Sequence, residues 1–234
     1  MSRAGLDKNP RDVAEMFDGV AKGYDRTNSA MTMGFDRRWR WLTRRVLDAS
    51  PDERILDLAA GTAVSTTEYA KSGAWCVAAD FSLGMLKSGA HRDVPKVAAD
   101  AFHLPFASDS FDAVTVSFGL RNMSPTVEAL REMCRVVRPG GRLVICEVSQ
   151  PPFRPIRWLH YNVVLRLLPM ITRPFSSNKD AYSYLAESMR HWHDQRELAL
   201  LISEAGFDEV EWLNLTFGVV ALHRAVKPAA LPQA

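Results

Sequence analysis

From Ile55 onward the chain alternates short apolar runs with helical stretches, and no other feature narrows its fold as much. Strands are predicted over 55–59, 75–79, 96–99, 112–118 and 142–148, with helices over 64–71, 83–89 and 125–137. Strands separated by helical crossovers build a parallel sheet covered on both faces. Pro139-Gly140-Gly141 reads as the sharp turn from the last of these helices into the fifth strand. Further on, Asp194 is placed to cap a helix, with Glu197 at the capping-box position and Gly206 at its end. The closing "VEWLNLTFGVVALHRAV" reads as two strands around a turn, antiparallel at the sheet edge. The expected class is α/β, a Rossmann-like, mostly parallel seven-stranded sheet.

Around this core the organisation is less regular. Residues 1–50 form an expected N-terminal helical flap: Val13, Met16, Phe17 and Val20 share one helix face, which Gly23 ends. A loop, "YDRTNSAMTMGFD", follows, and then a helix, "RRWRWLTRRVLDA", with Trp39, Leu42 and Val46 on one stripe. The core is assigned to 51–150, a proline- and arginine-interrupted apolar insertion or lid to 151–193, the closing helix and strands to 194–228, and a tail to 229–234. "NKDAYSYLAESMRHW" inside the insertion is expected to be helical.

Ligands of such sheets bind at the carboxyl ends of the strands. Asp57 lies on the first strand, Asp80 ends the second and Asp100 ends the third. Asp80 stands where an acid accepts hydrogen bonds from both ribose hydroxyls, and Asp100 with Ala101 where a purine would lie. The loop between the first strand and its helix, "LAAGTAVS", has one glycine. Gly61 is where the backbone comes close to a ligand and Ala63 takes a packing position that tolerates alanine, whereas the alanine at the first turn position, Ala59, speaks against a diphosphate gripped by successive amides. A phosphate-free nucleoside with an amino-acid tail suits this loop better, and the Thr62 hydroxyl can supply one partner to that tail. S-adenosylmethionine is such a nucleoside. Phe81 and Met85, just beyond Asp80, complete the expected donor-side set.

Order and motifs across about residues 50–150, including "LPFASDSFDAVTVSF" and "LREMCRVVRPGGRLVI", resemble class I S-adenosylmethionine-dependent methyltransferases. Outside that core, "VAEMFDGVAKGYDRTNSAMTMGFDRRWR", "SFGLRNM", "AYSYLAESMRHW" and "GVVALHRAVKP" resemble the ubiquinone/menaquinone biosynthesis C-methyltransferases, nearly end to end over 13–228. "DLAAGTAVST" is similar to the actinobacterial, demethylmenaquinone-methylating branch. The resemblance implies C-methylation of a prenylated naphthoquinol to menaquinol, and donor contacts at Thr62, Asp80, Asp100, Ala101 and Ser117. Many relatives carry glycine and an acid where Ala63 and Val64 stand, a departure that bears on the geometry around the methionine tail.

Methyl transfer to a ring carbon needs that ring to be electron-rich, which ionising the neighbouring hydroxyl achieves. A phenol titrates near ~10 in water, so a cation beside it favours the reactive anion. Arg121, after the fourth strand, is the candidate for that cation, and Asn122 for a hydrogen bond to a quinol oxygen. Tyr24 and Asn28 are placed in the flap that closes over the substrate. His223, on a predicted strand, is the histidine within reach of the site, but a catalytic role for it is disfavoured.

Bulk properties remove other classes. The chain has 234 residues, 47% of them hydrophobic, and no apolar run reaches the length of a membrane span. A net charge of +2 is too balanced to suggest nucleic acid. Three scattered cysteines form no disulfide framework or zinc motif, and no metal is expected, so the reading is a protein of the reducing cytoplasm. Transient contact with the inner face of the plasma membrane and a homodimer stay open. The rival readings are a methyltransferase of another lipophilic acceptor (benzoquinol, polyketide or sterol), a nicotinamide-dependent oxidoreductase, and a silent donor-binding scaffold.

Overall fold

The computed structural model describes residues 10–164 and 187–229. Strands β1 (Arg54–Leu58), β2 (Trp75–Asp80), β3 (Lys96–Ala98), β4 (Phe111–Ser117), β5 (Val137–Val148), β6 (Asp208–Leu215) and β7 (Val220–Val226) form one sheet. Their order is β3-β2-β1-β4-β5-β7-β6. The first five run parallel, and β7 pairs antiparallel with both β5 and β6. The alternation seen in the sequence thus becomes a doubly wound sheet, with the closing pair of strands at one edge.

Two apolar layers sandwich this sheet because successive strand residues point to opposite faces. Leu56 and Leu58 pack on one side with Leu130 and Met133 of helix α6 (Thr126–Val136) and Leu198 and Ile202 of α8 (Gln195–Glu204). Ile55 packs on the other with Trp39 and Leu47 of α3 (Phe35–Leu47) and Tyr69 of α4 (Val64–Tyr69). Helix α8 starts as expected: Asp194 Oδ1 accepts the Glu197 N–H, and Glu197 returns the bond to the Asp194 N–H.

Two expectations change, and a third falls mostly outside the described residues. The stretch read as a loop after Gly23 holds helix α2 (Tyr24–Met31), which follows α1 (Pro10–Val20) across Gly23 at φ 89°. Polar composition hid it: no residue of α2 is fully buried, and no side chain caps it. Strand β5 begins at Val137, which already pairs with Phe111, so the Pro139–Gly141 stretch is an irregularity inside a strand and not a helix-to-strand turn. The lid contributes α7 (Arg154–Leu159) and a π-helical turn, His160–Val164, while most of "NKDAYSYLAESMRHW" lies outside the described residues.

The turn after β1 keeps glycine-like geometry with alanines in it. Ala59, Gly61 and Ala63 all have positive φ, at 54°, 56° and 61°, a region that costs an L-residue roughly 1–2 kcal/mol. Gly119, after β4, presses on this turn: a Cβ there would lie 2.3 Å from the Ala59 Cβ. Gly119→Ala is therefore expected to lower stability by about 1–3 kcal/mol in urea denaturation. Adding Ala59→Gly removes both the clash and one strained methyl, and should recover most of the loss; equal instability of the single and double variants would contradict this packing.

Candidate active site

A cavity of about 280 Å³ opens at the carboxyl ends of β1, β2 and β4 and is roofed by α1 and α2. Every residue expected at the site lines it except Asp57. The donor-side expectations meet at one end, where Gly61, Thr62, Asp80, Phe81 and Met85 surround the first two strand ends. Asp100, Ala101 and Ser117 complete that wall. Tyr24, Asn28, Arg121 and Asn122 line the same space from the flap and from the segment after β4.

Asp80 organises the donor end. Its Oδ2 accepts the Gly61 N–H at 2.7 Å and its Oδ1 the Ser82 N–H at 2.8 Å, so one carboxylate ties two strand-end loops together. Burial pushes its pKa up, against the pull of those backbone donors. Each oxygen keeps a lone pair for a further donor. A Cβ at Gly61 would stand 2.9 Å from Met85 Cε, a contact the flexible thioether end can relieve, so the positive φ of 56° is the firmer reason for glycine there. Asp100 is folded back locally, with Oδ1 accepting the Phe102 N–H at 2.9 Å.

Two acids that the sequence did not single out pin the flap to these loops. Asp18 of α1 accepts the Ser82 hydroxyl and the Gly84 N–H, the latter at 2.9 Å. Asp25 of α2 accepts the Thr62 hydroxyl at 2.7 Å and pairs with Arg92 at 2.7 Å, while Arg92 also donates to the Thr62 carbonyl. The Thr62 hydroxyl, expected to meet a methionine tail, is thus engaged with the flap. A carboxylate on a helical segment before the core carries no motif of its own, which is why neither was visible.

Asp57 turns away from the cavity. Strand alternation puts it on the Ile55 face beneath α4, where its Oδ2 accepts the Thr66 hydroxyl at 2.6 Å. It ties β1 to the first turn of α4 and lies outside the cavity lining. Ser117 hydrogen-bonds the Tyr69 hydroxyl at 3.0 Å on the same side.

Arg121 is not the isolated cation the sequence suggested. It is buried, and its Nη1 donates to Glu147 Oε1 at 2.8 Å and to the Phe118 carbonyl. Glu147, on β5, also accepts the Arg121 and Val148 backbone N–H groups. Nothing about "ICEVS" marks Glu147 as more than a strand residue. The Arg121 Nε is buried with no hydrogen-bond partner among the described residues. Tyr24 hydrogen-bonds Asn28 one turn along α2; burial raises its pKa, while Arg121 and Asn28 oppose that shift. It therefore stays a phenol at neutral pH. His223 lies outside the cavity, buried in β7 with Nε2 2.9 Å from the Gln195 carbonyl.

Comparison with known proteins places the chain in a family. The pattern of the ubiE/COQ5 methyltransferase family matches residues 5–227. The chain belongs to that family. It is 61% identical over 228 residues to a protein of Mycolicibacterium paratuberculosis named demethylmenaquinone methyltransferase, covering 97% of this chain and 99% of that one. A Mycobacterium tuberculosis protein of the same name is 60% identical, covering 97% of each chain. Among solved structures, the putative methyltransferase bound to the Haloferax volcanii Trm112 activator superposes with TM-score 0.66 at 16% identity, over 91% of this chain and 97% of that one. A Haemonchus contortus phosphoethanolamine N-methyltransferase in complex with S-adenosylhomocysteine gives TM-score 0.56 at 16% identity, over 77% of this chain and 50% of that one. At that identity the two structures speak to the fold alone.

Among the described residues, no group of acids, histidines and cysteines could hold a metal ion, and no helix is long and apolar enough to cross a membrane. All three cysteines are free, and burial raises Cys76 and Cys146 to about 12, far from a reactive thiolate.

Burial also pushes the Asp57 carboxyl up to about 7, with Thr66 pulling it down and Asp80 adding repulsion. A raised folded-state pKa means that the native state holds the proton more tightly than the unfolded chain. The resulting stabilisation is complete below the unfolded value near ~3.9 and is lost as pH rises through the folded value. Asp57→Asn keeps an acceptor for Thr66 and removes this titration. The variant should gain stability relative to the parent between about pH 5 and pH 8 in thermal melts; a pH-independent difference would show that Asp57 is already ionised at the lower pH.

Proposed function

We propose that this protein transfers the methyl group of S-adenosylmethionine to a ring carbon of a prenylated demethylnaphthoquinol, giving menaquinol. One observation carries the reading: a single cavity joins a nucleoside-type rim at Asp80 to a polar acceptor wall at Tyr24, Asn28, Arg121 and Asn122. The names of the family relatives at 60–61% identity supply the acceptor class.

The residues present fit the donor. Asp80 offers two carboxylate oxygens to the ribose hydroxyls, Ala101 and Phe102 give an apolar wall for the purine, and Asp25 brings negative charge to the loop where the donor's ammonium would sit. When bound, S-adenosylmethionine supplies a sulfonium methyl that passes in line to the acceptor carbon, with S-adenosylhomocysteine and one proton released.

On the acceptor side the chain supplies orientation and hydrogen bonds to the quinol oxygens. Arg121 has a donor group left over after Glu147 is served, since Nη2 makes no hydrogen bond with a described residue. Because Glu147 offsets much of its charge, Arg121 works chiefly as a directed donor to a developing phenolate, in the manner of an oxyanion hole. Tyr24, held protonated, accepts from Asn28 and keeps its hydroxyl proton to donate to the acceptor. The proton goes to water. Positioning donor and acceptor in one roofed cavity can contribute up to ~7–11 kcal/mol to the rate.

Incubation with labelled methyl donor and either reduced demethylmenaquinone or the corresponding demethylbenzoquinol tests the reading, with chromatography of the lipid. Label should appear in menaquinol; label only in the benzoquinol would overturn the acceptor assignment. Asp80→Ala should weaken S-adenosylhomocysteine binding about 10- to 150-fold by calorimetry, the worth of a hydrogen bond to a charged group. Unchanged affinity would displace the nucleoside from that rim. Arg121→Lys keeps a cation beside Glu147 but loses the guanidinium fork. It should leave homocysteine-product affinity intact and lower kcat by about 100-fold, most at low pH, whereas parental turnover would remove Arg121 from the acceptor wall.

A further inference from the structure

We infer that the rim formed by the α2–α3 turn, the β6–β7 turn and the start of α7 docks on an anionic bilayer surface, from which the acceptor enters the cavity. This rests on the lipid-tailed acceptor proposed above. Large apolar side chains stand in water there: Met33 is 83% exposed, Phe217 76%, Trp158 64% and Phe153 62%. Met33 and Phe217 both sit at positive φ, 51° and 59°, so the chain holds an apolar residue at two turn positions that favour glycine or asparagine.

Contacts join these segments into one rim. Phe35, also exposed, stacks on Trp39, and Trp39 Nε1 donates to Thr216 Oγ1 at 2.9 Å, beside Phe217. Gly218 abuts the next segment, where a Cβ would lie 2.5 Å from Pro152 Cδ, and Phe153 and α7 follow directly. The rim borders the cavity, since Thr32, Trp39 and Val220 line it. An isoprenoid chain anchored in a bilayer under the rim would have a short apolar route to the acceptor wall.

Charge selects the occupant. Arg37 and Arg38 on the first turns of α3 and Arg154 at the start of α7 are exposed, and none forms an ion pair with a described residue. The acid among them, Asp36, is buried and paired with Arg40 at 2.6 Å. Apolar residues flanked by unpaired arginines match an interface of acyl chains and anionic headgroups. A second copy of this chain would meet the rim isologously and bring the same arginines together.

The test is co-sedimentation of the full chain with phosphatidylcholine vesicles, with and without about 30 mol% phosphatidylglycerol. The parent should bind the anionic vesicles and release from them in about 0.5 M salt. Met33→Asn/Phe217→Asn suits the left-handed backbone at both positions, and Arg37→Glu/Arg38→Glu reverses the charge. Each pair should lower vesicle partitioning and turnover of a vesicle-borne long-tailed quinol by about tenfold or more. Both should leave S-adenosylhomocysteine affinity and turnover of a water-soluble short-tailed demethylnaphthoquinol unchanged. Parent protein that ignores anionic vesicles, or variants that bind them as the parent does, would overturn the proposal. So would a dimer abolished by the apolar pair without vesicle binding, which would assign the rim to a second copy. Failure of the parent on the short-tailed acceptor is a separate result and strikes the methylation reading instead.

Discussion

The Asp80 carboxylate is the constraint on which the site depends. It receives the backbone of the β1 loop through Gly61 and of the β2 loop through Ser82, and so fixes two strand ends against each other at the cavity rim. The surrounding turn is held by its neighbours more than by its own residues. Ala59 and Ala63 keep left-handed φ without being glycine, because Gly119 presses on one side and the fully buried Ala63 methyl is locked in the core on the other. Strain of this kind persists only where the surroundings over-determine it.

The flap extends the same arrangement. Asp18 bonds to the β2 loop at Ser82 and Gly84, and Asp25 to Thr62 and Arg92 around the β1 loop. Helix α2, which carries both Tyr24 and Asn28, is thereby set against the β1 loop at Thr62 and against Arg92. In the proposed reading, acceptor and donor geometry are coupled through these two carboxylates. On the far wall, Glu147 and Arg121 form a buried pair, in which losing one partner strands the other charge at a cost of roughly 3–5 kcal/mol. That pairing fixes the guanidinium while lessening its strength as a bare cation, and so favours directed hydrogen bonding over field effects.

How much of this could be read from the chain follows from where each signal lies. The sheet was legible because runs such as Trp75–Ala79 and Leu143–Cys146 are apolar and short and alternate with helical stretches. The closing antiparallel pair was legible from two β-rich runs flanking a turn. Helix α2 was not, since "YDRTNSAM" has no apolar stripe and its position comes from tertiary contacts at Asp25. Asp80 and Asp100 announced themselves by standing at strand ends. Asp57 sits only one residue before the end of β1, yet alternation sends it to the opposite face. Glu147 was hidden among apolar strand neighbours, because a partner 26 residues away in sequence leaves no local pattern.

The central claim is that one cavity holds a nucleoside at Asp80 and a quinol ring at Arg121. A crystal structure with S-adenosylhomocysteine and a reduced naphthoquinone analogue tests it most directly. The account predicts ribose hydroxyls on both Asp80 oxygens, with a quinol oxygen on the Arg121 guanidinium. A nucleoside bound away from Asp80, or a ring seated against another wall, would contradict it.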